Sequence, residues 1–571
     1  MKKIILISGL LGVLLLGTQC KDDQFNEYYT DPSKVGTIQI DRMMAGLFRN
    51  ADIFWAPDYA RYYALDGTWL GTFSQTLGGK GASAEMYNPS YSETGYWDRF
   101  YTALGNFRLM EQLYNNMQEA EQKANECFMI ATRVFLYDYL SLIVSIYGDV
   151  PFTKAGYLPV NNDIPSSFAE YDSEESIYDL MLTDLAHING RFADAEFVTA
   201  AGRSNFATQD ILIRGSLVKW NMYANAIRLR IANRLASNSN PLQEKAKSVL
   251  KEILENPQTN PLPETNEQNI VIKNYRNNFM NYTAGGGLNE NGGWRSEANQ
   301  ALIDRMRTDP RLRLLYLKTD TVSYRETDPD NRKYNPANGI YLGRDYKDAT
   351  GARTQGETQF YREDGATGIS RVVQHGFFWE NKKFDAFMFS APEIWFIKAE
   401  AEARGFANVP SETAESCFKK AVQLSLSFYF YYYENWESNG GGNPPDTYKN
   451  ITVPDSASIS DFSIARWAAI GTDYVNNIDA IITQKWVHFS VLCTREQWSD
   501  IRRTGFPSGL YYPQGSGTIP RVPDRWKYPF GEITYNSYNY EAVKSKDKYD
   551  TPLIWMKPDW HNNEHSGRPY N

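Results

Sequence analysis

The helical spacing of apolar residues is the feature of this sequence that most restricts its fold. In the segment LVKWNMYANAIRLRIANRL, apolar residues recur at steps of three and four, at Leu217, Trp220, Ala224, Ile227, Ile231 and Leu235. This spacing places one apolar stripe along an amphipathic helix. Four arginines flank the stripe, at Arg214, Arg228, Arg230 and Arg234. The segment therefore predicts a helix that packs into a core.

Other segments predict further helices, namely CFMIATRVFLYDYLSLIVSIYGDVP, EIWFIKAEAEARG, SETAESCFKKAVQLSLSF, NNIDAIITQKWVHFSVLC and REQWSDIRRTG. Gly148 and Pro151 supply a stop signal at the end of the first. The short link between the second and third favours an antiparallel helix pair. No segment shows a sustained alternating pattern, so strands are expected to be few and short. The sequence predicts an all-α fold.

Long polar loops separate these helices. Three of them mix Gly, Asn and Ser with aromatic residues: DGTWLGTFSQTLGGKGASAEMYNPSYSETGYW, NFMNYTAGGGLNENGGWRSEAN and YYYENWESNGGGNPPDTYKN. Loops of this length are uncommon inside compact proteins and are more often functional than idle. The alternative, that they only connect helices and tuck their rings inward, stays open. Aromatic residues make up 14% of the chain, and Tyr and Trp suit both buried polar seams and stacking against sugars or peptides.

The first twenty residues have the features of an export leader. Lys2 and Lys3 precede an uncharged apolar run, residues 4–16, which is too short to span a membrane. The run leads to Cys20, followed by Lys-Asp-Asp, and this arrangement resembles a bacterial lipoprotein cleavage site. Gln19 stands where a small residue is usual. We expect residues 1–19 to be a signal peptide and Cys20 to carry a lipid; plain secretion with a free thiol is the alternative.

The charge of the chain argues against anionic partners. The formal net charge is −9, and removal of Lys2 and Lys3 with the leader takes it to −11. Such a surface repels nucleic acid and anionic lipid headgroups. We therefore expect no nucleic-acid partner.

Three cysteines remain after Cys20, at Cys127, Cys417 and Cys493. An odd number cannot pair completely within the chain, so the fold is not expected to depend on a disulfide framework.

Enzyme motifs give little support to a catalytic role. The segment HNNEH, with His561, Glu564 and His565, has the spacing of a zinc peptidase helix. Flanking prolines and the nearby chain end argue instead for a C-terminal tail. GGKGAS around Lys80 lacks the spacing of a phosphate-binding loop, and no Gly-x-Ser-x-Gly elbow follows a strand. Paired carboxylates for glycoside cleavage stay open, because their separation cannot be measured in a sequence. No metal and no cofactor are expected.

Five segments in chain order resemble the SusD/RagB family of surface glycan-binding lipoproteins, in its SusD-like branch. They are YGDVPFT, KWNMYANAIRLRIANRL, APEIWFIKAEAEARG, QKWVHFSVLCTREQWSDIRRTGFP and GTIPRVPDRWKYPFGEITYN. The resemblance extends from about Asp41 to the region of Tyr535. It divides the chain into a leader (1–19), a lipidated tether (20–40) and a SusD-like ligand-binding domain (41–571).

The resemblance implies a core of tetratricopeptide-like helix pairs with long loop insertions. It also implies a lipid-anchored protein on the extracellular face of the outer membrane. Members of the family act as lids on a SusC-like TonB-dependent transporter, to which they deliver a captured oligosaccharide or, in some branches, a peptide. The lid makes and breaks no bond. A surface glycoside hydrolase and a purely structural adaptor are the rival functions.

Family motifs are expected to hold the scaffold, so the ligand contacts must come from loops. The resemblance implies that the loop after the first helix and a mid-chain loop form the binding surface. Aromatic rings stack on pyranose faces, while Asn and Arg bind hydroxyl groups. The candidate ligand-binding residues are Trp69, Phe73, Tyr87, Tyr91, Tyr282, Asn289, Trp294 and Arg295.

Several other motif residues are predicted to be structural. Trp97, Trp220, Trp395, Trp486 and His488 are expected in the core. Arg502 and Arg503 are expected to bind carboxylates or helix carbonyls, because a buried arginine needs partners.

Overall fold

The computed structural model is mostly helical. It describes residues 39–56, 65–67, 69–78, 92–194, 199–273, 297–316, 318, 341–344, 346, 370, 372, 385–435, 450–471, 474–512 and 521–562. The expected leader, Cys20 and the tether lie outside these residues.

Twelve helices of ten or more residues occur in the described part of the chain. They are α1 (Ile40–Asn50), α2 (Ser92–Asn115), α3 (Glu119–Tyr147), α4 (Glu174–Asp194), α5 (Ala200–Gln209), α6 (Leu217–Ala236), α7 (Gln243–Glu255), α8 (Ala391–Ala403), α9 (Ala414–Asn435), α10 (Ser456–Ala468), α11 (Tyr474–Phe489) and α12 (Thr494–Thr504). Short helical turns lie at Asp52–Trp55, Gly71–Phe73, Leu158–Asn161, Pro165–Ser167, Asn266–Gln268, Gln300–Met306, Leu312–Leu315, Phe530–Tyr535, Ser537–Tyr540 and Lys544–Lys546.

The all-α prediction is confirmed, because strands contribute little to the described residues. Ile270–Ile272 (β1) pairs antiparallel with Ala386–Phe389 (β2), with Ile270 opposite Phe389. The helices pack as neighbours in the chain or in space: α2 against α3, α6 against α4 and α7, α8 against α9 and α11, and α9 against α10. The core is built from these helix pairs.

The predicted antiparallel pair is α8 with α9. Phe396 contacts Phe418 with ring centroids 6.3 Å apart, and the ammonium group of Lys420 lies 4.0 Å from the ring centroid of Trp395. Moving one residue back along α8 therefore means moving two residues forward along α9. As the residue number falls along α8, the number of its contact partner on α9 rises, as an antiparallel arrangement requires.

The apolar helix α3 ends where its sequence predicts. By length and composition it could span a membrane, but 94% of its most apolar window is buried inside the protein. Its apolar surface therefore forms core. The helix stops at Gly148, which has φ +75° and whose N–H donates to the Val144 carbonyl. A side chain at this left-handed position would be strained, and its Cβ would lie 3.0 Å from Leu553.

Three of the four arginines beside the α6 stripe, Arg228, Arg230 and Arg234, are buried and paired, whereas Arg214 is exposed. Arg228 binds both carboxylate oxygens of Glu252, at 2.8 and 2.7 Å. Arg230 binds both of Glu393, at 2.7 and 2.8 Å. Arg234 Nη2 lies 2.9 Å from Glu496 Oε2. Because a buried cation is costly without a partner, these pairs fix α6 against α7, α8 and α12.

The residues predicted to be structural lie in the core. Trp97, Trp220, Trp395 and Trp486 are each less than 5% exposed. Arg503 binds Glu400 and Asp500, and Arg502 donates to the carbonyls of Asp524 and Ser145 at 2.6 and 3.0 Å. Both arginine predictions are confirmed. Cys127, Cys417 and Cys493 are buried free thiols.

His488 is a core histidine with both ring nitrogens bonded. Its Nε2 lies 2.8 Å from Ser390 Oγ, and its Nδ1 lies 2.9 Å from Ser425 Oγ. Burial lowers the pKa of His488 well below its ordinary value, and the nearby charges of Arg311 and Lys485 lower it further. The ring is therefore neutral in the folded protein.

This neutral ring predicts a pH dependence of stability. Below about pH 6.5 the unfolded histidine takes up a proton that the folded one does not, so stability falls as the pH drops. The free energy of unfolding of the wild type should lose up to about 1.4 kcal/mol more per pH unit than that of His488→Gln. Urea titrations at pH 7, 6 and 5 measure both slopes. Parallel slopes for the two proteins would contradict the prediction.

Candidate functional site

Four distant stretches of the chain meet at one place, which we call the loop junction. It consists of residues 73–78, residues 297–300, residues 341–344 with Tyr346, and Ser370. Isolated bridges join Leu77 to Ala298 and Asn299 to Arg344. The junction is therefore a small tertiary structure made of loop ends.

Backbone hydrogen bonds connect each stretch of the junction to the next. The Gly78 N–H donates to the Glu297 carbonyl at 2.6 Å. The Arg344 N–H donates to the Ala298 carbonyl at 2.8 Å, and the Ala298 N–H donates to the Ser370 carbonyl at 2.7 Å. The Ser370 N–H donates to the Leu342 carbonyl at 2.7 Å. These bonds hold all four stretches in fixed register.

The junction is the root of both loops that are predicted to bind ligand. Residue Gly78 leads into 79–91, which carries Tyr87 and Tyr91, and Glu297 follows 274–296, which carries the mid-chain candidates. Since Gly78 and Glu297 are hydrogen-bonded, the C-terminal end of the second loop meets the N-terminal end of the first. Their shared root supports a combined binding surface.

Two glycines allow the stretches of the junction to approach one another closely. A Cβ on Gly78 would lie 2.7 Å from the side chain of Arg344. A Cβ on Gly343 would overlap the backbone at Asn299 and Gln300. Atoms at such separations repel strongly, so the close packing of these stretches depends on glycine at both positions.

Aromatic side chains donate hydrogen bonds to four of the six carbonyl groups in residues 73–78. The hydroxyl groups of Tyr512, Tyr316 and Tyr346 donate to the carbonyls of Phe73, Thr76 and Gly78, at 2.8, 3.1 and 2.8 Å. Trp486 Nε1 donates to the Ser74 carbonyl at 2.8 Å. Burial raises the pKa of Tyr512, Tyr316 and Tyr346, so these phenols keep the protons that they donate. Part of the high aromatic content thus serves a buried polar seam.

Gln497 on α12 anchors the same segment to the helical core. Its Oε1 accepts hydrogen bonds from Ser74 Oγ at 3.0 Å and Thr76 Oγ1 at 2.8 Å. Its Nε2 donates to the Trp486 carbonyl on α11 at 2.7 Å. The loop root is therefore bound to the α11–α12 pair through one fully buried amide.

A buried ion pair crosses the junction. Arg344 Nε contacts Glu297 Oε2, and the two side chains are 1% and 3% exposed. Among the described residues of the junction, Glu297 is the one carboxylate. Glu297 is paired with Arg344, so it fixes the stretches of the junction relative to one another. The described residues of the junction therefore do not provide a pair of free carboxylates for hydrolysis.

Two of the predicted ligand-binding residues are described, and both lie at this root. The Trp69 side chain is 9% exposed, and its ring centroid lies 6.5 Å from that of Phe73. Phe73 is fully buried, and its ring lies 5.6 Å from that of Trp498. Trp69 is thus largely buried beside the junction, with a small part of its surface exposed. The structure gives Phe73 a packing role, with no ring surface to support a ligand contact.

The other candidates cannot be placed. Tyr87, Tyr91, Tyr282, Asn289, Trp294 and Arg295 lie outside the described residues. So do Glu564 and His565 of the HNNEH segment. Among the residues that the structure describes, no group of three or more His, Cys, Asp or Glu side chains could hold a metal ion.

The sequence reasoning missed the residues that build the root itself, including Gly343, Arg344, Tyr346 and Gln497. Their partners are far away in the chain; Tyr346 and Gly78, for example, are 268 positions apart. Gly343, Arg344 and Tyr346 lie in a stretch without periodicity, and the helical pattern around Gln497 does not indicate which distant loop its amide binds.

Comparison with protein families identifies one match. The SusD-like model, described as "Starch-binding associating with outer membrane", matches residues 51–529. This match covers most of the chain, including the junction and all twelve long helices except the first. No curated protein matches the sequence.

Solved structures share the fold at low sequence identity. A chitin-binding protein has a TM-score of 0.66 at 20% identity, covering 90% of this chain and 99% of that one. A SusD homologue from Bacteroides fragilis has a TM-score of 0.63 at 17% identity, covering 91% and 100%. A chitin-binding SusD homologue from Flavobacterium johnsoniae has a TM-score of 0.62 at 18% identity, covering 91% and 99%.

Proposed function

The chain belongs to the SusD-like family, and from this premise we propose that it is a glycan-binding protein of the outer membrane. In this proposal it captures an oligosaccharide at the cell surface without cleaving it. The ligand surface is formed by the loops rooted at the junction, with Trp69, Tyr87, Tyr91, Tyr282, Asn289, Trp294 and Arg295 as candidate contacts.

The shared root of the two loops carries the proposal. A sugar needs aromatic faces and polar groups in one concave surface, and the Gly78–Glu297 hydrogen bond brings the ends of two loops rich in such residues together. The hydrogen-bonded seam at residues 73–78 holds the start of the first loop, which reduces the entropy that must be lost when a ligand orders the surface. The family description and the chitin-binding structural relatives favour a carbohydrate as the ligand.

The cellular setting forms part of the same proposal. Cys20 carries a lipid that anchors the protein on the extracellular face of the outer membrane, and the protein serves as the lid of a SusC-like TonB-dependent transporter. The apolar leader followed by Cys-Lys-Asp-Asp supports the anchor. The family resemblance supports the transporter. A peptide-binding lid is the alternative, because aromatic and Asn-rich loops also suit peptides.

The first test is a glycan and peptide array with protein whose chain starts at Lys21. Wild-type protein is expected to select one family of glycans and to release no cleavage products. A Trp69→Ala, Trp294→Ala double variant should bind those glycans at least about tenfold more weakly, because each lost stacking platform removes about 1 kcal/mol or more.

A matched variant separates ligand contact from damage to the fold. Tyr431 is an exposed ring on α9, so Tyr431→Ala should bind like the wild type, and both variants should show cooperative melting. Selection of peptides would support the alternative lid. Product release by the wild type would support a glycoside hydrolase, and unchanged glycan binding by the double variant would contradict the two platforms.

A further inference from the structure

A second group of aromatic rings lies on the surface at the C-terminal side of the domain. The short helices Phe530–Tyr535 and Ser537–Tyr540 expose Phe530, Tyr535 and Tyr538, whose side chains are 76%, 75% and 91% exposed. Ile533, at 38%, lies between them. We call residues 530–538 the aromatic patch. The family model ends at residue 529, one residue before the patch begins.

The backbone beneath these rings is firmly held. Asn536 is buried, and its Nδ2 donates to the Ala169 carbonyl at 3.0 Å and to Glu532 Oε2 at 3.1 Å. The Tyr171 hydroxyl donates to the same Glu532 oxygen at 2.7 Å. The exposed rings therefore stand on a fixed support, which lowers the entropy cost of binding a ligand.

The Tyr535 ring lies beside the backbone of its own helix and is largely exposed. A Cβ built on Gly531 would lie 3.8 Å from Tyr535 Cδ2, which places the ring beside the glycine backbone. With 75% of its surface exposed, Tyr535 presents the rest of its ring to solvent. Phe168, which precedes Ala169 in the chain, is also exposed, at 47%.

The charge of the patch favours a neutral ligand. Its exposed side chains are uncharged: Phe530, Ile533, Thr534, Tyr535, Ser537 and Tyr538. The whole chain carries a formal charge of −9, which disfavours anionic glycans, nucleic acid and anionic lipid. Exposed aromatic rings with hydroxyl groups beside them match a pyranose, which has an apolar face and a rim of hydroxyl groups.

We propose that the aromatic patch is a second carbohydrate-binding surface, which takes a neutral glycan. The class of ligand rests on the proposed function, whereas the site does not. A long polysaccharide offers many sugar units to the exposed rings and gains affinity from several weak contacts made at once. A short oligosaccharide occupies a single site and gains no affinity from additional contacts.

The test compares long and short ligands on the full chain. Retention on insoluble starch and on insoluble chitin measures the polysaccharide, and calorimetry with maltohexaose and chitohexaose measures the short ligand. For Tyr535→Ala, Tyr538→Ala we expect retention to fall about tenfold, while the affinity of the tighter hexaose site stays unchanged. Tyr431→Ala is the matched control and should behave like the wild type.

Each outcome decides between the two proposals. If the patch variant is retained like the wild type, or if the wild type is retained on neither solid, the second surface is wrong. Another outcome is that the Trp69→Ala, Trp294→Ala variant keeps full hexaose affinity while the patch variant loses retention. That result supports glycan binding at the patch and contradicts glycan binding by the junction loops. Loss of a transporter partner by the patch variant with full retention on both polysaccharides overturns the inference in favour of a protein-docking surface.

Discussion

Replacing Arg503 by alanine is expected to lower the free energy of unfolding by about 3–5 kcal/mol, because it leaves buried carboxylates without their partner. Arg503 donates to both oxygens of Glu400 at 2.6 Å and to Asp500 at 2.7 Å. The Arg503 and Glu400 side chains are each 1% exposed. These contacts join α8 to α12, the helix that carries Gln497.

The charge state of Glu400 explains the size of the effect. Burial by itself would raise the pKa of Glu400, but Arg503 and Arg404 hold it well below the ordinary value. Glu400 is therefore ionised in the folded protein. Without Arg503, a buried carboxylate must either keep a charge with one partner fewer or take up a proton, and both options cost stability.

Urea unfolding at pH 7 measures the loss, with Lys154→Ala as the control. Lys154 also bonds a carboxylate, that of Glu170 at 2.7 Å, but the two side chains are 66% and 69% exposed. Solvent screens such a pair, so its removal should change the unfolding midpoint little. Equal shifts in the two variants would show that burial of the Arg503 pair adds nothing.

The helical part of this fold is predictable because its signal is local. The apolar spacing from Leu217 to Leu235 predicts a helix, and the structure has one at Leu217–Ala236. Gly148 predicts the end of α3, since a left-handed residue can close a helix without strain. Arg502 and Arg503 predict carboxylate or carbonyl partners, because a buried arginine needs them. In each case the evidence lies within a few turns of the chain.

The junction is not predictable in this way, because its residues are defined by distant partners. Tyr316, Tyr346 and Tyr512 share no local pattern in the sequence, yet each donates a hydrogen bond to a different carbonyl of residues 73–78. Phe73 shows the converse difficulty. It follows a Gly-Thr pair in a polar stretch, which favours an exposed ring, but packing against Trp498 on α12 buries it completely.

A single methyl group at Gly343 is expected to reduce glycan affinity at least about tenfold, which is about 1.4 kcal/mol of binding free energy. The new Cβ would overlap the backbone at Asn299 and Gln300, and backbone atoms cannot move aside as a flexible side chain can. The stretches 297–300 and 341–344 would have to separate. That movement strains the Gln300–Arg344 backbone hydrogen bond, which is 2.7 Å long, and displaces the root of the mid-chain loop.

Binding and stability should respond differently to this change, and the difference identifies a positioning role. Because Gly343 lies at the loop root, the Gly343→Ala change should lower the free energy of unfolding by about 1–3 kcal/mol. The melting temperature should therefore fall by only a few degrees. Gly190→Ala in α4 is the matched control, because its Cβ would meet nothing within 4 Å, and alanine should stabilise that helix by about 0.5–1 kcal/mol. Calorimetry with the glycan selected on the array then compares the two proteins. Normal affinity in Gly343→Ala would mean that the ligand surface does not depend on the junction, whereas weak binding in both variants would point to a general effect of Gly→Ala changes. Weak binding in Gly343→Ala alone is the result that ties recognition to the root shared by the two loops.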